Sequence, residues 1–146
     1  MNALNDLINF GLWIIKALRT SLPIYVIVYK NSIKVKNIKS GKTASGKSED
    51  KFSTERLLIA DPIKAENLTK GLIKKVAQLA ELKTRNLKVI CHPLDSILAD
   101  LSPAEKMIFH DFAYQIGGRY VYLIENKQEL TDFELKEKTT SIKTYE

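Results

Sequence analysis

The short apolar run Val89-Ile90-Cys91-His92-Pro93 constrains this chain most, because of what flanks it. Upstream stands Leu57-Leu58-Ile59-Ala60-Asp61, and downstream Gly118-Arg119-Tyr120-Val121-Tyr122-Leu123-Ile124-Glu125. A long stretch with helical spacing separates each run from the next. Strands joined through helices return to one sheet by right-handed crossovers, so this half of the chain reads as α/β.

The other elements fit around that frame. Pro23 breaks an N-terminal helix and begins a strand, Ile24 to Tyr29, rich in β-branched and aromatic residues. Lys30-Asn31-Ser32 reads as a tight turn. Ile33 to Ile38 alternates apolar and polar, which buries one face and leaves the other wet and cationic. Residues 39–51, rich in Ser, Gly and Lys, read as a loop, and Phe52 to Ala60 as a third strand. Asp61-Pro62 marks a helix start, with Asp as N-cap and Pro at the first helical position. That helix is expected to run to about Leu82, with Leu68, Leu72, Val76 and Leu79 as its stripe and Ile73 and Ala80 beside it. Lys83 to Asn86 is a polar turn, Leu87 to Cys91 a strand ended by Pro93, and Leu94 to Leu101 a turn with room for a short helix. Ser102-Pro103-Ala104-Glu105 is a capping box that opens a second helix. Met107, Ile108, Phe112 and Ile116 form its apolar face, and Gly117-Gly118 terminates it. Tyr120 to Ile124 is the last strand.

The order βββαβαβ predicts a mixed five-stranded sheet with helices packed on it, preceded by an extra amphipathic helix. The expected divisions are an N-terminal helix over 1–20, a single domain over 22–135 and a fraying polar tail over 136–146.

On the N-terminal helix, Leu4, Leu7, Ile8, Gly11, Ile14, Ile15 and Leu18 share a face, and Phe10, Leu12 and Trp13 widen it. The segment is too short and too interrupted to span a bilayer, which needs about 20 apolar residues. With no Lys or Arg before the apolar run and no small-x-small site before Pro23, it does not read as a secretory signal. Burying each large apolar side chain is worth about 1.5–3 kcal/mol, so something is expected to cover this surface. The helix packs on the domain, lies in a membrane interface or meets a second copy or another protein. The residues expected to make a membrane or partner contact are Leu7, Phe10, Trp13, Ile14, Lys16 and Arg19, with Trp13 at headgroup depth and Lys16 and Arg19 on the polar side.

The net charge of +6 points to acidic partners, although charge alone does not choose a function. Lys34, Lys36, Lys39, Lys42 and Lys47 make a basic patch, with Lys51 just beyond. It is either a solvated edge or a contact for anionic lipid or RNA. Nucleic-acid readers interleave aromatics with charge, and none stands here before Phe52, so nucleic acid is disfavoured. A single cysteine leaves no internal disulfide and fits a reducing compartment. No spacing suggests a metal site.

Gly41-Lys42-Thr43-Ala44-Ser45-Gly46-Lys47-Ser48 satisfies the phosphate-loop pattern G-x-x-x-x-G-K-[ST]. Such a loop needs a buried strand before it and a helix directly after. Here a half-wet strand precedes and a strand-like stretch follows, so a cationic loop is the better reading. His92 reads as structural for want of a partner, Cys91 as a buried small hydrophobe, and His110 and Asp111 as the polar side of a helix. No catalytic residue emerges.

In order and spacing these blocks resemble the rod-shape-determining bacterial actin family (MreB). Leu58-Ile59-Ala60-Asp61 through Ile73-Lys74-Lys75-Val76 is similar to that family's V-I-A-D segment and following helix. Val89-Ile90-Cys91-His92-Pro93 is similar to its strand ending C-V-P. Glu105-Lys106-Met107 and then Gly117 to Glu125 resemble its E-R-R helix and G-A-R-E-V-F-L-I-E-E-P strand. The resemblance covers roughly residues 22–127 and implies the first subdomain of an actin-like, ribonuclease-H-like fold.

The departures matter as much. The family's D-x-G-T phosphate turn is replaced by Tyr25-Val26-Ile27-Val28-Tyr29-Lys30, its G-x-T by Leu94-Asp95-Ser96 and its E-E-P by Glu125-Asn126-Lys127. Its second phosphate loop, adenosine pocket and second lobe have no counterpart in the sequence. The resemblance thus implies a half-domain without nucleotide, cofactor, metal or catalysis. Such a chain would be a cytoplasmic scaffold or adaptor of cell-shape or envelope machinery, able to self-associate. The family's N-terminal membrane anchor extends that expectation to the inner membrane surface. A small basic nucleic-acid-binding domain is the alternative, and an NTPase rests on residues 41–48 alone.

Overall fold

Five strands form one mixed sheet in the computed structural model, which describes residues 2–19, 21–84, 86–95 and 100–141. In chain order the elements are α1 (Ala3–Arg19), β1 (Ser21–Tyr29), β2 (Ser32–Asn37), β3 (Thr43–Lys47), α2 (Pro62–Val76), α3 (Leu79–Thr84), β4 (Asn86–Pro93), α4 (Pro103–Gln115), β5 (Gly118–Leu123) and α5 (Asp132–Ser141). The strand order is β3-β2-β1-β4-β5. The first three strands are an antiparallel meander, and β4 and β5 run parallel to β1. This is the mixed α/β sheet that the element order predicts.

β1 sits at the centre and is buried on both faces, which its unbroken run of large apolar residues requires. Leu22, Ile24, Val26 and Val28 point to one face and Tyr25 and Ile27 to the other. Pro23 lies inside β1, yet its carbonyl accepts from Ile38 N at the open end of the β2 ladder. A residue's N–H and C=O point to the same side of a strand, so its missing donor falls where no ladder bond is lost.

The first face carries the larger core. Ile33, Val35, Val89, Cys91 and the β1 residues meet Leu72, Ile73 and Val76 of α2 and Phe109 and Phe112 of α4. Asp61 caps α2 by accepting from Lys64 N, and Ser102 and Glu105 form the capping box of α4. The second face is covered in part by the chain after β5, where Ile124, Leu130 and Leu135 pack on Tyr25, Ile27 and Ile90.

Four expectations are corrected. The third strand is Thr43–Lys47, inside the expected loop, and residues 52–60 form no strand. Phe52, Leu58 and Ile59 are buried as expected, but in an irregular segment. Its backbone is satisfied locally: Asn31 Oδ1 accepts from Phe52 N (3.0 Å) and Ser53 N (2.8 Å), and the Phe52 carbonyl accepts from Ala60 N and Asp61 N. Asn31 itself stands in the left-handed region at φ 55, closing a two-residue turn between Tyr29 and Ser32.

The helix from Pro62 stops at Val76 rather than near Leu82. The buried Asn37 donates through Nδ2 to the Val76 carbonyl (3.1 Å), giving that helix-end acceptor a partner outside the helix. Ala77 turns extended, α3 begins at Leu79, and Leu79 is exposed rather than part of the stripe.

The expected division at 135–136 runs through α5. The polar tail is helical to Ser141, with Leu135 buried on the second face. Helices thus lie on both faces of the sheet.

Candidate functional site

β1, β4 and β5 are mutually parallel, and their C-terminal ends open onto one cleft of about 680 Å³. In open α/β sheets this edge is where ligands bind. Tyr29 and Lys30 reach it from the β1–β2 turn, Pro93, Leu94 and Asp95 from the end of β4, and Asp100 and Leu101 from just before α4. Glu125, Asn126 and Lys127 close it after β5. Three carboxylates therefore face two amines. Glu125 also lies 3.4 Å from Lys106 Nζ of α4.

The cleft is braced from below by a buried hydrogen-bond chain. His92 Nε2 is 2.7 Å from the Asn126 carbonyl, which only accepts, so Nε2 carries the hydrogen. His92 Nδ1 is then the acceptor for the Tyr25 hydroxyl at 2.6 Å. The Tyr25 oxygen in turn accepts from Leu130 N at 3.1 Å. Burial lowers the His92 imidazole below its ordinary range and pushes the Tyr25 phenol up to about 12. Both are held neutral, and His92 has no exposed surface with which to meet a solute. The Cys91 thiol is fully buried and pushed up to about 12, which makes it a poor nucleophile at neutral pH.

The phosphate-loop pattern of residues 41–48 folds as the start of a hairpin strand, with β3 paired to β2 and no helix directly after it. Asn37 builds that turn: Oδ1 accepts from Lys39 N and Ser40 N, and Gly41 takes φ 81.

The basic patch divides. Lys34 Nζ is 2.8 Å from Glu129, and Lys36 pairs with Asp132 at the start of α5. The two lysines on the second face of β2 are therefore paired and half-buried, rather than fully wet as the alternation suggests. Lys39, Lys42 and Lys47 are exposed around the β2–β3 hairpin.

On α1, Leu7 and Phe10 are 66% and 58% exposed, and Leu4, Ile8 and Leu12 are exposed with them. The side chains of Trp13, Ile14, Lys16 and Arg19 lie outside the described residues. No helix among the described residues is long and apolar enough to cross a membrane. Asp100 and Leu101 carried no signal as cleft residues in the sequence, since only the fold brings them beside Tyr29.

No family model matches the chain, and no curated protein is significantly similar to it. Among solved structures, the chain is similar to the crystal structure of MreB5 of Spiroplasma citri bound to ADP, at a TM-score of 0.48 and 12% identity. The match covers 73% of this chain and 38% of that one, so the chain spans well under half of that protein's length.

Proposed function

We propose that this chain is a non-enzymatic, actin-like scaffold or adaptor of cell-shape or envelope machinery, held at the inner membrane surface by α1. The observation that carries the reading is the cleft at the ends of β1, β4 and β5. Three carboxylates, Asp95, Asp100 and Glu125, line it together with Tyr29, Pro93 and Leu94. Carboxylates at this range oppose a triphosphate. The two amines in the cleft, Lys30 and Lys127, are outnumbered by these carboxylates, and the Asn31 amide of the β1–β2 turn already donates to Ser53 Oγ at 2.9 Å. With Lys34 and Lys36 paired to acids, the charge left to grip a nucleic-acid backbone is reduced, which favours a scaffold over a nucleic-acid-binding domain.

The membrane part of the reading rests on the exposed apolar side chains of α1, too large a contiguous surface to stay wet without cost. Flotation with anionic liposomes tests it. The full chain should float, and Leu7→Glu combined with Phe10→Glu should not. Equal flotation of both contradicts the anchor.

A further inference from the structure

We infer that β3 is a receiving edge, and that an extended acidic segment of a partner protein adds to it as a sixth strand. The inference deepens the scaffold reading by naming the class of partner such a scaffold would hold.

β3 is the last strand on its side of the sheet. Its hydrogen-bonding parity follows from the ladder. Asn37 N donates to the Lys42 carbonyl, so Ile33, Val35 and Asn37 bond toward β3, and Ala44 and Gly46 bond back toward β2. The N–H and C=O groups of Thr43, Ser45 and Lys47 therefore point away from the sheet. Strand addition needs this row of outward donors and acceptors at alternate residues. The rest of the strand is anchored: Gly46 packs so closely on α2 that an added Cβ would lie 3.1 Å from Leu68 Cδ1.

A groove of about 470 Å³ runs beside the edge on the second face, lined by Tyr29, Ser32, Lys34, Ser45 and Lys47. Side chains of an added strand that point to this face would enter it. Thr43, Ser45 and Lys47 are exposed, as are Lys39 and Lys42 in the adjoining turn. Among the described residues none of Lys39, Lys42 and Lys47 makes an ion pair. The edge thus offers backbone bonds, hydroxyls and unneutralised positive charge together, and acidic side chains at alternate positions complement it.

A second copy fits poorly. Two β3 strands joined antiparallel about Ser45 would set Lys47 of each copy opposite Thr43 of the other, one residue from its Lys42, so lysines gather at both ends of the pair and β3 itself offers no acidic residue to offset them. Flanking lysines are a common protection against edge-to-edge self-association, and they leave an acidic strand welcome.

The test is fluorescence anisotropy of the full chain with a labelled peptide of alternating glutamate and valine. The parent peptide should bind, and Ser45→Pro should weaken it about tenfold, the cost of a lost main-chain hydrogen bond. The Ser45 N–H points outward, so the proline removes no bond within the sheet. Lys47→Glu should weaken binding as well. Two further peptides, N-methylated on the glutamates or on the valines, probe the same bonds without altering the protein. One should bind like the parent and the other about tenfold more weakly, because only one set of amides faces β3. Absence of binding, or like behaviour of the two N-methylated peptides, overturns the inference. Displacement of the peptide by oligouridine at equal concentration would also overturn it and assign the surface to nucleic acid. None of these readouts involves α1, so failure here leaves the flotation result standing, and the converse holds.

Discussion

The Tyr25 hydroxyl and His92 Nδ1 lie 2.6 Å apart, and through them the chain after β5 is tied to the middle of the sheet. The imidazole is the acceptor in that contact, so the arrangement requires it to be neutral. Burial lowers its folded pKa below the unfolded value near 6.5. Below about pH 6.5 the unfolded chain binds the proton more readily than the folded one. The stabilisation is therefore complete above that pH and is lost as pH falls through the folded value. Denaturant melts at pH 7.5 and 5.5 should show a loss that His92→Gln reduces. An unchanged pH dependence in that variant would contradict the assignment.

Asn37 organises two places at once. Its Oδ1 shapes the β2–β3 turn and its Nδ2 holds the end of α2. Asn37→Ala leaves the Val76 carbonyl and two turn amides without these partners. The expected cost is about 2–3 kcal/mol, measured by urea denaturation. A cost within about 0.5 kcal/mol of zero would mean that water replaces all three bonds.

The cover on the second face is held by packing more than by charge. Leu135 is 1% exposed, and Leu135→Ala should cost about 2–4 kcal/mol. The Lys34–Glu129 pair is 35% and 42% exposed at its two side chains. Lys34→Ala should cost less than about 1 kcal/mol, falling further in high salt. Equal costs for the two variants would reverse this assignment.

Much of this architecture is legible in the sequence, and the exceptions share a cause. β1, β2, β4 and β5 show themselves through β-branched runs or alternation, and Asp61 and Ser102 mark their helix starts. β3 hides because Thr-Ala-Ser-Gly-Lys has one strand-forming residue, Thr43; it exists because β2 offers it a ladder and Asn37 a turn. Residues 52–60 mislead in the opposite sense, since their apolar residues signal burial but not the conformation in which they are buried. α5 is polar nearly all round and buries Leu135 as its main anchor, too little periodicity to register. The acids facing Lys34 and Lys36 stand 95 and 96 residues away, a pairing that no local pattern can announce. The cleft itself is not announced in the sequence: Tyr29, Lys30, Asp95 and Glu125 figure there as departures from the family's nucleotide motifs, and the fold brings Asp100 and Leu101 beside them.

Two successive glycines after α4 do different work. Gly117 takes φ 110, which a side chain would strain. Gly118 has an ordinary backbone, but an added Cβ would lie 2.6 Å from the Ala113 carbonyl oxygen and 3.0 Å from Val89. Gly118→Ala should cost about 1–3 kcal/mol by moving β5 off α4. Retention of full stability on thermal denaturation would contradict that close approach.

We propose that the cleft at the ends of β1, β4 and β5 holds no nucleotide. Thermal denaturation of the full chain with and without magnesium-ATP tests it most directly. A site occupied at one hundred times its Kd would add about 2.7 kcal/mol of stability and raise the midpoint visibly. No shift is expected at millimolar nucleotide. A saturable rise in the midpoint, abolished by Tyr29→Asp at the mouth of the cleft, would contradict it.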